Sequence, residues 1–143
     1  MAAFLLLVQV AATLMMAGVV WFAQVVHYPL FDRVGTASFQ AYETDNMRLT
    51  NYVVGPLILI EGVTAVALFW LRPEGVSFVQ AVLGVALLFV IWLSTFSLQV
   101  PMHRVLTRGF DPSAHQKLVV SNWIRTIAWS FRGILVLWMI ASI

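Results

Sequence analysis

The chain has 143 residues, 62% of them hydrophobic and 10% charged, with no cysteine and a formal net charge of +2. A soluble domain carries about 25% charged residues, so this composition, with a mean hydropathy of +0.93, describes an integral membrane protein. Disulfides, thiolate metal sites and cysteine nucleophiles are excluded, and the small positive charge lacks the basic patch with spaced aromatics that nucleic acid requires.

A hydrocarbon core about 30 Å thick needs roughly 20 apolar residues to cross it. Leu5–Val26 is the first stretch to qualify. Met1–Leu5 has no positive charge and the apolar run is too long for a signal peptide, so a retained helix is expected. Gln24 and His27 fall near its far end, while Gln9 and Thr13 occupy the other half. A long connection, Val26–Asn51, follows. Within it, Thr36 or Ser38 can cap a helix start. Phe39, Tyr42, Leu49 and Tyr52 alternate with Gln40, Glu43, Asp45 and Arg48, as in an interfacial helix running into the next span.

The second span is Tyr52–Leu71, with Glu61 as its only charged interior residue and Pro56 as an expected kink. Arg72–Gly75 ("RPEG") permits only an antiparallel hairpin into the third span, Val76–Val100. That span carries Ser94, Thr95, Ser97 and Gln99 near its far end. Pro101–Lys117 reads as a polar connection broken by "GFDP", and Leu118–Ile143 is the fourth span. The expected fold class is all-α: an integral membrane four-helix bundle, one domain over residues 1–143, with an interfacial helix before the second span. Arg33, Arg48, Arg104, Arg108 and Lys117 flank the two long connections, against Arg72 alone at the short turn. The positive-inside rule then puts both termini outside the cytoplasm.

The fourth span opens with "SNWIRTIAWSFRG", two arginines seven residues apart in otherwise apolar surroundings. At about 1.5 Å per residue, Arg125 lies roughly 5 Å and Arg132 roughly 15 Å into the membrane. Glu61, entering from the same side on the second span, reaches roughly 14 Å. A mid-bilayer arginine costs about 2.5–3.5 kcal/mol, so pairing of Glu61 with Arg132 is expected. Asn122, Arg125, Trp129 and Arg132 share one helix face by their spacing, and Trp129 can stack on either guanidinium. Gln24, His27, Thr95, Arg48 and Asn51 gather towards the same end. One carboxylate cannot neutralise two guanidiniums, so the inner half of the bundle has spare positive charge for an anionic or phenolate-like ligand.

Two readings follow. In the first, Arg125 and Arg132 hold developing negative charge, Glu61 or His27 acts as base, and Trp129, Asn122, Gln24, Arg48, Asn51 and Thr95 line the ligand site. In the second, the Glu–Arg network only fixes the helices of a structural or accessory subunit, with Gly18, Gly62, Gly84 and Gly133 allowing close packing. A transport path fits less well, because the outer half lacks a continuing polar line. His27, His103 and His115 share no i, i+4 spacing, so no haem, metal or other cofactor is expected. No nucleophile, phosphate-loop or dinucleotide motif is present. The partners this chemistry allows are membrane lipids, a small lipophilic ligand and a second copy of the chain.

Val100-Pro101 at the end of the third span, followed by Asn122, Arg125 and Thr126 in "NWIRT", resembles a recurring pattern of small four-helix membrane proteins grouped with fungal anthrone oxygenases. The likeness covers the whole chain in topology and about ten residues in motif; His103 stands where members often have asparagine. It implies, for some members, a cofactor-independent oxygenation of a lipophilic phenolic substrate. The family's many bacterial members also point to an inner-membrane location.

Overall fold

A computed structural model describes all residues, 1–143, and the chain is helical almost throughout, with no strand. Helix α1, Ala2–Phe22, continues through a π-helical turn at Ala23–His27 and a 3-10 turn at Pro29–Arg33. Gly35, at φ 82°, breaks the run. Helix α2 is a single helix, Thr36–Leu71, that passes through Pro56 without ending. The expected interfacial helix is its opening turns. Helix α3, Phe78–Ser94, starts on a capping box. There the Ser77 hydroxyl accepts from the Gln80 amide at 3.2 Å, and the Gln80 side chain accepts from the Ser77 amide at 2.7 Å.

The third connection is shorter than the sequence suggested. A π-helical turn at Thr95–Gln99 leads into α4, Val100–Leu106, so Pro101 lies inside helical structure. The wider turn suits a proline that has no N–H to donate. Hydroxyls in the turn cover carbonyls of the preceding turn: Thr95 donates to Ile91 O at 2.7 Å and Ser97 to Leu93 O at 2.5 Å. Helix α5, Pro112–Ala141, begins six residues before the expected span. Its start is built locally: Asp111 accepts from the Ala114 amide at 2.7 Å, and Pro112 occupies the first turn, where a missing N–H costs nothing.

Each of the four helical segments is long and apolar enough to cross a membrane. Large apolar side chains such as Phe4, Trp70, Phe89, Phe96 and Ile134 point outward and are exposed. Water would penalise that surface, whereas lipid does not. The interior divides into three apolar layers along the bundle. Leu6, Leu68, Val76 and Met139 pack at the end with the termini and the short turn. Met16, Leu57, Ile91 and Trp129 pack in the middle. Phe31, Phe39, Leu106 and Leu118 pack at the long-loop end. Gly75 shows how tightly the first end closes. Its φ is 95°, and a Cβ there would collide with the Ser142 carbonyl.

Candidate functional site

Two polar clusters interrupt these layers. The first centres on Glu61, whose side chain is fully buried. One carboxylate oxygen accepts from the Thr13 hydroxyl at 2.6 Å and from Arg132 Nη2 and Nε at 3.3 and 3.4 Å. The other accepts from Trp129 Nε1 at 2.9 Å. Arg132, also buried, directs Nη1 to the Gly84 carbonyl. Gln9 donates to Thr13 at 3.1 Å, and the Thr64 hydroxyl closes the network against Gln9 Oε1 and Ile60 O. The carboxylate and guanidinium that the depth argument brings to one level do meet. Thr13, Gln9 and Thr64 extend the polar network towards the termini. A cavity of about 10 Å³ lies beside the pair, against Gln9, Gly84 and Arg132, about one water position.

The second cluster lies at the long-loop end. Glu43 and Glu61 are separated by roughly 27 Å along α2. Glu43 is fully buried. Its Oε1 lies 2.5 Å from His103 Nδ1 on α4, and its Oε2 accepts from Asn46 Nδ2 at 2.9 Å. Asn46 Oδ1 lies 2.8 Å from His27 Nε2 and accepts from Thr50 at 3.2 Å. On the other side of His103, Nε2 lies 3.3 Å from the Tyr28 hydroxyl. The Tyr28 carbonyl is bonded to His115 Nε2 at 2.7 Å. Arg125 sits beside the Tyr28 hydroxyl, with its guanidinium carbon 5.6 Å from the centre of the Trp129 ring. Its Nε is buried without a hydrogen-bond partner, as is Asn122 Oδ1.

Trp129 links the clusters, with its N–H on Glu61 and its face under Arg125. Gln24 and Asn122 are joined by a 2.9 Å bond, and Gln24 also donates to Val119 O at 3.1 Å. Of the residues singled out in the sequence, Glu61, Trp129 and Arg132 thus form the central cluster. Arg125, Asn122, Gln24 and His27 belong to the long-loop end, His27 through Asn46. Thr95 is bonded to its own helix. Arg48 pairs with Asp45 at 2.8 Å on the exposed surface, and Asn51 is exposed on the same helix; neither reaches either cluster.

Tyr28, Glu43 and Asn46 were not placed in a site from the sequence: Glu43 read as the polar side of an interfacial helix, and His103 as a hydrogen-bonding histidine rather than a metal or haem ligand. A signal was present. Phe39, Glu43, Asn46 and Thr50 recur at i, i+4, i+7 and i+11, a helical stripe, as do Gln99, His103 and Leu106. An acid on a stripe headed by Phe39 is placed to turn inward. No three His, Asp or Glu side chains converge as a metal site would require. No protein-family model matches the chain, and it has no significant match among curated proteins or solved structures.

Proposed function

We propose that this multi-pass membrane protein binds a lipophilic phenolic or quinone-type anion at Arg125, in the half of the bundle nearer the long loops. The Glu61–Arg132 pair then acts as the pin that fixes α2 to α5. The observation that carries this reading is the Arg125 guanidinium. It is half-buried, with Trp129 under it, and its Nε is left without a partner. A buried donor without a partner costs about 1–3 kcal/mol, and a ligand oxygen would remove that cost. Arg132 has no such need, since Glu61 and Gly84 occupy it.

A groove lies along the face of α5 that leads towards Arg125. Ser121 stands one turn before it on the same helix face, and Lys117 one turn earlier again. Lys117 and Ser121 line an open groove of about 600 Å³, with Ser97, Leu98, Met102 and Ile124 as other walls. A ligand with an apolar body and one negative end fits this order of groups. The resemblance to anthrone-oxygenase-like proteins points the same way and suggests a cofactor-independent oxygenase-like activity on such a compound. By charge, the long loops face the cytoplasm of a bacterial inner membrane, with both termini outside.

The alternative is an accessory subunit in which both clusters only fix helices. It draws on the packed centre, where the cavity beside Arg132 holds about 10 Å³. Purified protein in lipid nanodiscs separates the two. Titration with a lipophilic quinone or phenol should quench tryptophan fluorescence saturably, and Arg125→Gln should weaken binding at least tenfold while the melting temperature changes little. Equal binding by wild type and Arg125→Gln, or none by either, would leave the accessory reading.

A further inference from the structure

We propose that Tyr28, His103 and Glu43 form a proton-transfer site, in which the Tyr28 hydroxyl takes the acidic proton of the bound compound while its own proton passes to His103. This rests on the binding reading above and adds a reaction step to it.

The direction of each hydrogen bond follows from one group that cannot reverse. Glu43, as a carboxylate, only accepts. His103 Nδ1 therefore carries a hydrogen and donates it across 2.5 Å. Asn46 must turn its NH2 towards Glu43 Oε2 and its oxygen towards His27, which donates through Nε2. With its hydrogen on Nδ1, the neutral His103 ring can only accept at Nε2, so the Tyr28 hydroxyl donates to it. That nitrogen is unprotonated and ready to accept. The lone pairs of the Tyr28 oxygen remain for a ligand O–H.

The step balances without any redox partner. The ligand O–H bond breaks and a new Tyr28 O–H bond forms. The old Tyr28 O–H bond breaks and a His103 Nε2–H bond forms. The ligand becomes an anion facing Arg125, and the imidazolium is held by Glu43. Sealing is graded as such chemistry needs: Glu43 is 0% exposed, whereas Tyr28 and His103 keep 6% and 7% of their surface. A carboxylate shut away behind a histidine holds its tautomer and stabilises its charged form. The charged and titratable groups around the site come from every element packed there. They are His27 from the end of the first segment, Tyr42 and Glu43 from α2, His103 from α4, and Arg125 and His115 from α5.

The test uses the full chain in lipid nanodiscs and an alkylated 4-nitrophenol, whose phenolate absorbs visibly. Bound to wild type, the probe should show its phenolate band about one to two pH units lower than when bound to Tyr28→Phe or Glu43→Gln. Nitrogen NMR should show His103 becoming imidazolium as probe is added. Tyr28→Phe removes only the hydroxyl and keeps the ring packed on Phe31, so it remains informative if Glu43→Gln unfolds. Rescue of the low-pH band by Glu43→Asp would further support the relay. Binding that needs Arg125 but shows the same ionisation in wild type and Tyr28→Phe overturns the relay and leaves the binding reading standing. No binding by wild type overturns both.

Discussion

Glu61 accepts from four donors on three side chains, so removing its charge leaves Arg132 buried without a counter-ion. Breaking a buried pair from one side costs about 3–5 kcal/mol. Glu61→Gln should therefore lower unfolding free energy in detergent by about that amount. Trp129→Phe loses the N–H to a carboxylate and part of the packed indole, which should cost about 2–3 kcal/mol. Replacing both charges, as in Glu61→Leu with Arg132→Met, should recover most of the loss, because two desolvated ions are removed together. Denaturant unfolding of the three variants checks this order. Equal losses for the single and double changes would mean that the pair does not act as a unit. The cluster around Glu43 differs at this scale. Its members are bonded in a directed series, and one cation beside it is incompletely satisfied.

At the scale of elements, the helices are held by their ends as much as by their lengths. Gly75 has a left-handed φ and no room for a Cβ beside Ser142, while Gly109 has φ 140° and open space around it. A left-handed backbone alone costs a non-glycine residue about 1–2 kcal/mol. Gly109→Ala should lose about that, and Gly75→Ala clearly more, because the C-terminal turn must also move. Thermal melts of the two variants in one detergent make the comparison. The helix bounds show what the sequence could convey. The apolar runs gave four spans, and "RPEG" gave the hairpin, since both depend on local composition. The extension of helical structure to Leu106 was hidden because Pro101–Lys117 read as a polar connection; Pro101 does not end the helix. It is absorbed by the preceding π-helical turn and its hydroxyl-capped carbonyls, an arrangement that depends on the backbone of the turn before. The same limit applied to Glu43. Depth along a helix located Glu61 against Arg132, but Glu43 lies before the apolar run and read as a surface acid. Its burial comes from α4, which the sequence had assigned to a loop.

At the scale of the molecule, charge is distributed more unevenly than the net value of +2 suggests. Arg33, Arg48, Arg104, Arg108 and Lys117 are all exposed around the long loops, and Arg72 is exposed alone at the opposite turn. Near an anionic membrane surface, each cation is worth about 1 kcal/mol. A difference of four therefore favours one insertion by several kcal/mol, well above thermal energy. The absence of cysteine makes this directly measurable, because a single introduced thiol reports without background. Glu74→Cys lies in the exposed short turn and Ser113→Cys at the exposed start of α5. A membrane-impermeant maleimide added to intact bacterial spheroplasts should label Glu74→Cys at once and Ser113→Cys only after permeabilisation. The reverse pattern would place Arg125, Tyr28 and the groove at Lys117 and Ser121 on the outer face, and a ligand would then have to reach them from outside the cell. Labelling of both positions in intact spheroplasts would indicate mixed insertion and show that the five cations do not decide orientation.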